Sequence, residues 1–355
     1  MNRYVVVMAG GAGLRLWPLS RQQKPKQFIS ADGDECMLVQ SIRRICMMTE
    51  PDDCYIITNE SLLDITRQTV NGLLPLSNII AEPMRKNTAA CIAYAAMQIQ
   101  KKRGPGTLCF VPADGYVKDA DGYGETILQA FETAERTEKL VVIGIVPTYP
   151  ATGYGYIHVD KDPENVVTKV YEFIEKPDVE TAEKMLESGE YLWNGGILVG
   201  LADIILENVQ MYLRDHFIPL NAAVRHIDEP DFKERIREAY SQLENISFDY
   251  GVLEKDKDIY AVKGHFDWDD VGSLDALSKT INHDENGNAV SGPHMGVDTH
   301  DCVIVSEDKF IATIGIQQMI VANTKDALIV CPRERAQDVK TYVEKLKERG
   351  LDELT

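Results

Sequence analysis

The run YVVVM at residues 4–8 breaks off abruptly into Ala9 and three glycines, Gly10, Gly11 and Gly13. This junction constrains the chain more than any other stretch. An unbroken apolar, β-branched run predicts a strand buried on both faces at the centre of a parallel sheet. The glycines that follow let the backbone turn its N–H groups toward an anion with no Cβ in the way. Arg15, Arg21, Lys24 and Lys26 come next, in a chain whose formal charge is −19. Cations gathered there and outnumbered elsewhere point to a polyanionic ligand. The pattern is not the dinucleotide fingerprint, because Leu16 stands where GxGxxG needs its third glycine for close helix packing. Nor is it a Walker loop, since no GK[ST] follows.

The acidic balance argues against nucleic acid, and a phosphate site in such a chain needs its own local cations and a divalent metal. At 355 residues and 44 % apolar content the chain can bury a large core, and one large domain (1–283) with a small one (284–355) is expected. Seven cysteines, scattered and never spaced as CxxC, read as reduced thiols of a cytoplasmic protein. No apolar run has the length of a membrane span, and no membrane partner is expected.

Along the chain, strand-like and helix-like segments alternate. Strands are expected at 4–8, 54–58, 78–81, 107–112 and 140–147. Helices are expected at 62–70, at 88–101 with Asn87 as cap, and at 123–136, with Leu38, Ile42 and Ile45 on a further helical face. That alternation specifies an α/β fold with a Rossmann-like, doubly wound, mostly parallel sheet, whose ligand crevice lies at the carboxyl ends of the strands. From Thr152 the winding stops. A helix is expected at 273–281, then HDENGN as a polar linker, then short β-prone segments between Ala289 and Cys331. One amphipathic helix at 334–349 closes the chain, with Val339, Val343 and Leu346 on one face. No internal repeat is apparent.

The stretch GGxGxRLxPLS, followed by PKQF, resembles the signature of nucleotide-sugar pyrophosphorylases in the form found in mannose-1-phosphate guanylyltransferases. Further segments match that family in order. VPADG places Asp114 just past an apolar strand, and DWDDVGS places Asp270 in an acidic turn; the resemblance makes both the ligands of a metal, Mg²⁺. FIEKP supplies Glu175 and Lys176, the latter in the position that holds the sugar phosphate. WNGGI and TGYGYI supply Asn194 and Gly155 for the sugar. EPMRKNTAA carries Glu82, Lys86, Asn87 and Thr88 at the loop that reads the base, with Lys86 where the family has arginine. SFDYGVLEK carries Asp249 and Glu254 toward the sugar. Two departures stand out: Gly115 replaces a histidine, and Leu198 an aromatic residue.

The resemblance implies a nucleotidyltransferase catalytic domain of GT-A type. Its small carboxyl-terminal β domain is associated with dimer formation, and the form is the short one, without a fused isomerase domain. It implies GTP and mannose 1-phosphate as substrates and GDP-mannose and pyrophosphate as products. Arg15 and Lys26 would act on the departing pyrophosphate, and the backbone from Gly10 to Gly13 would cradle the nucleotide. Alternatives stay open: a transferase for another sugar 1-phosphate such as glucose or heptose, or a non-catalytic regulatory subunit that binds nucleotide-sugars. A nicotinamide dehydrogenase is disfavoured by Leu16.

Overall fold

The computed structural model describes residues 1–11, 13–30, 35–161 and 165–355. Of the glycine loop expected to cradle the nucleotide, Ala12 lies outside the described residues. Arg3–Met8 lies between Cys54–Asn59 and Thr107–Pro112 and runs parallel to both, with Ile79–Glu82 adding a parallel edge. Its side chains alternate between two apolar cores, Tyr4 and Val6 on one face and Val5 and Val7 on the other. Helix Asn87–Arg103 fills the first core, and helices Met37–Ile45 and Ala120–Thr137 cover the second. The central buried strand is therefore where the uninterrupted apolar run puts it.

Among the described residues the sheet has ten strands, and its chief departure from simple winding lies at its centre, with further antiparallel strands added at one side. Tyr191–Leu201, rather than Val141–Ile145, pairs next to Thr107–Pro112, and it runs antiparallel to both neighbours. A strand inserted from far along the chain leaves no trace in local β–α alternation, so the pattern alone predicts the wrong neighbour. The fold class is nonetheless the expected one: α/β, with a mostly parallel central sheet.

Asn87 is not the helix cap it was expected to be. Its φ is +65°, the residue before it stands at the cap without a side-chain bond, and its own Oδ1 accepts from the N–H of Thr88 at 2.9 Å. The helix expected at 273–281 is a single turn, Leu274–Leu277, continued as a 3₁₀ turn, with Ser273 Oγ accepting from Ala276 N at 3.2 Å.

In the carboxyl-terminal segment Ala289–Ser291, Val303–Ser306 and Met319–Asn323 form one parallel ladder, and His294–Val297 with Ile311–Ile314 forms another. These are successive coils of a β-helix, a structural repeat that the sequence reading missed. Its register joins Ala289, Val303 and Ile320 at unequal intervals, which hides the period. Leu328–Pro332 adds antiparallel, and helix Val339–Glu348 packs beneath. Val303, Ile320, Val343 and Leu346 share one buried cluster with Leu16, Trp17, Leu19, Val271 and Leu274. The module thus props the segment after the glycine loop. Trp17 Nε1 donates to Leu354 O at 2.7 Å, and Gln22 N to Thr355 O at 2.8 Å.

Candidate active site

The strand ends open on one side of the sheet, as in other open α/β folds. Where the first strand stops, Ala9 O accepts from Gln27 Nε2 at 2.7 Å and from Thr58 Oγ1 at 3.0 Å, so the turn begins from a fixed point. Gly13 has φ +57°, and a Cβ there would come within 2.4 Å of Lys26 Cβ. Only glycine fits, by conformation and by space. Its job is to let Lys26 lie against the loop, and Ser20 Oγ closes that loop by donating to Gly13 O at 2.7 Å.

Lys26 is only 6 % exposed. Its Nζ pairs with Asp114 Oδ2 at 3.0 Å and donates to the main-chain carbonyl of Asp270. Three of the four expected catalytic residues therefore meet at one ammonium. The acidic turn divides its two aspartates. Asp269 is buried, accepts from Val271 N at 2.8 Å and pairs with Lys279. Asp270 accepts on Oδ1 from the Tyr154 hydroxyl at 3.0 Å and from Gly272 N at 3.1 Å. Its Oδ2 makes no hydrogen bond among the described residues. Val271, next to it, has φ +43°, a strained position for a β-branched residue. Arg15, expected to act on the departing pyrophosphate, is exposed and lines neither of the cavities described below.

Among the described residues no group of three or more metal-binding side chains occurs. The donor set still fits a hard cation. Asp114 and Asp270 offer carboxylate oxygens, both only partly buried, and one or two carboxylates completed by phosphate oxygens and water suit Mg²⁺.

A cavity of about 340 Å³ lies beside this centre, lined by Gly10, Gly11, Gln27, Glu82, Arg85 and Asp114 among others. Burial pushes the Glu82 carboxyl up to about 7, against the opposing pull of hydrogen bonds from Tyr240 and Cys91 and the charge of Arg85. Tyr240, itself fully buried, donates to Glu82 Oε1 at 3.1 Å. Lys86, Asn87 and Thr88 also line the cavity. The Lys86 ammonium, however, is tied to Leu243 O at 2.6 Å. Its neighbour Arg85 forms no ion pair among the described residues, so the cation available to a ligand sits one residue earlier than the motif suggested.

A second cavity of about 200 Å³ shares Met8 and Thr88 with the first and is lined by Gly155, Glu175, Asn194, Leu198 and Asp249. Asn194 Nδ2 donates to Asp249 Oδ1 at 2.9 Å, and Asn194 Oδ1 accepts from Gly196 N at 3.1 Å. Asp249 opens a wide π-type turn, Asp249–Leu253, and burial, reinforced by the nearby Glu175, raises its carboxyl above the usual range. At Gly155 a Cβ would meet Glu175 Oε2 at 2.5 Å, so a larger residue would push the end of that side chain aside. Lys176 does not line the cavity; its exposed side chain pairs with Glu175 at the rim, on a backbone with φ +49°. Glu254 lies outside it too. Trp193 is buried behind it, against Tyr149 and Tyr154. Leu198 forms part of the wall, whereas Gly115 leaves room for a side chain, its added Cβ meeting Trp268 Nε1 only at 3.6 Å.

Gln27, Arg85, Tyr154 and Tyr240 are the polar groups that motif reading passed over. Gln27, Arg85 and Tyr154 lay inside quoted motifs; Tyr240 had no signal, since only the folded helix Phe232–Gln242 brings it to Glu82. Two adjoining cavities with a buried cation and two carboxylates at one end can align a pair of phosphorylated substrates for displacement.

The sequence profile of the nucleotidyl transferase family matches residues 4–287, and that of the mannose-phosphate isomerase/GMP-like β-helix domain matches 292–346. The mannose-1-phosphate guanylyltransferase of Klebsiella pneumoniae is 37 % identical over 353 residues, covering 98 % of this chain and 74 % of its own. The chain belongs to the mannose-1-phosphate guanylyltransferase family of nucleotidyl transferases. The guanylyltransferase of Salmonella montevideo is similar at 36 % identity, covering 96 % of this chain and 73 % of its own. A crystal structure described as a mannose-1-phosphate geranyltransferase from Thermus thermophilus superimposes with a TM-score of 0.86 at 30 % identity, covering 98 % of this chain and all of that one. Nucleotidyl transferases of this family generally use a divalent metal. No helix among the described residues is long and apolar enough to cross a membrane.

Proposed function

We propose that the chain transfers a guanylyl group from GTP to mannose 1-phosphate, giving GDP-mannose and pyrophosphate. The observation that carries this reading is the meeting of Lys26, Asp114 and Asp270 beside two joined cavities, one large enough for a nucleoside and one for a monosaccharide. The attacking group is a phosphate oxygen, already anionic, so no general base is required. A bond forms from that oxygen to the α-phosphorus as the bond from the α-phosphorus to the bridging oxygen breaks, and the electron pair leaves with pyrophosphate. Gly10 and Gly11 present backbone to the nucleotide, while Glu82, Lys86, Asn87 and Thr88 surround its base. Asn194 and Asp249, oriented by each other, receive sugar hydroxyls, and Lys176 with Glu175 guards the phosphate entrance. Lys26 places its charge where the pyrophosphate departs, and Arg15 is free to fold over it. Asp114 and Asp270 would hold a divalent cation such as Mg²⁺, which would supply positive charge against the phosphates.

Asp114→Asn and Asp270→Asn each reduce turnover to near background, with circular dichroism unchanged. Near wild-type turnover of either variant in magnesium rules out the metal assignment.

We further propose a division into 1–283 and 284–355, a cytoplasmic protein, in keeping with seven free thiols, and a homodimer formed through the β-helix. Met295, Val297 and Ile314 on its short ladder are more than half exposed, an apolar face suited to a second copy. Sedimentation as a monomer at micromolar concentration removes the dimer.

A further inference from the structure

A third cavity, of about 520 Å³, lies behind the wall of the sugar cavity. Tyr149, Trp193, Trp268, Lys118, Thr148 and Asp267 are among the residues that line it. Its volume is close to that of the nucleotide and sugar cavities taken together. A monosaccharide would leave most of it filled with water. Its polar groups ask for acceptors. Lys118 is exposed and forms no ion pair among the described residues, and Trp193 is 3 % exposed with an indole N–H that has no acceptor among them. The Tyr149 ring is 41 % exposed and offers a stacking face, with Lys279 Nζ lying 5.6 Å from its centroid. Asp267 is exposed without an ion-pair partner among the described residues, a carboxylate suited to ribose hydroxyls.

The wall between this cavity and the sugar cavity is an aromatic cluster centred on Tyr154. Its ring packs on Trp193 at 5.2 Å and on Trp268 at 5.1 Å, both edge-on. Its hydroxyl contacts that of Tyr149 at 3.2 Å and donates to Asp270 Oδ1 at 3.0 Å. Tyr154 also lines the sugar cavity, so a group that shifts Tyr149 bears on both the sugar wall and Asp270.

We propose that this cavity is a second binding site, for a nucleoside diphosphate that carries a sugar. The base stacks on Tyr149, the ribose meets Asp267, and the phosphates take Lys118. Its effect on turnover passes through Tyr154 to Asp270 and in that respect rests on the reading of Asp270 given above; binding itself does not.

Equilibrium dialysis with GDP-mannose tests the site. Thr148 is exposed at the mouth, so Thr148→Trp fills the cavity without disturbing packed structure. Wild type binds one equivalent more than Thr148→Trp. Lys118→Ala keeps both equivalents but weakens the second about tenfold, the loss of one charge-assisted contact. Equal stoichiometry in wild type and Thr148→Trp, or an unweakened second site in Lys118→Ala, overturns the proposal. If Thr148→Trp binds none while wild type binds one, the cavity stands and the active-site reading fails.

Discussion

A carboxyl group that titrates near neutrality in a ligand cavity changes what the cavity can bind. Glu82 is held at about 7 chiefly by burial, and guanine presents its N1–H and amino group as donors, which only the ionised carboxylate can accept from both oxygens. Affinity for GTP is therefore full above about pH 7 and falls as pH drops through that value. At pH 6 the KM for GTP rises about tenfold, one pH unit below the titration point. Glu82→Gln flattens this dependence, and a wild-type KM constant from pH 6 to 8 contradicts the assignment. The sign for stability is the reverse. The folded state holds this proton more tightly than the unfolded chain, with its ordinary value of 4.5, so the apo protein loses stability as pH rises from 4.5 to about 7. Lys176 makes a separate prediction. It stands at the rim of the sugar cavity, so Lys176→Ala raises the KM for the sugar phosphate about tenfold, by loss of a charge-assisted contact, and leaves the KM for GTP near wild type. Equal loss toward both substrates shows that the two phosphate subsites are wrongly mapped.

At the scale of elements, the β-helix and its closing helix behave as a buttress. Leu346 sits in the same buried cluster as Leu16 and Trp17, on the segment that connects Gly13 to Lys26. Leu346→Ala costs about 2–5 kcal/mol of stability and also lowers kcat well below the melting temperature, because the loop that seats Lys26 loses its support. Lost stability with unchanged kcat means that the module supports only itself. The first strand, the glycine turn and the flanking helices were legible because each is decided locally, by apolar runs, periodicity and glycine chemistry. The insertion of Tyr191–Leu201 and the coils of the β-helix were not, since both are set by pairing between segments far apart in sequence. The site divides the same way. Asp114, Asp270 and Lys26 were found from short motifs, whereas Tyr240 under Glu82 and the unpaired Arg85 beside Lys86 follow from packing and side-chain direction that a motif does not record among the described residues.

For the molecule as a whole, the account comes down to which two substrates fill the joined cavities at the carboxyl ends of the strands. We propose that Glu82 selects the nucleotide and that the Asn194 and Asp249 pair beside Leu198 selects the sugar. Pyrophosphate release measured with magnesium, crossing GTP, ATP, CTP and UTP with mannose, glucose and heptose 1-phosphates, tests both selections at once. The structure predicts that GTP with mannose 1-phosphate gives the highest kcat/KM, by about tenfold or more over every other pair, as expected when a buried hydrogen-bonding group is left unmatched. A higher kcat/KM for any other pair, or no pyrophosphate release with any pair, contradicts it.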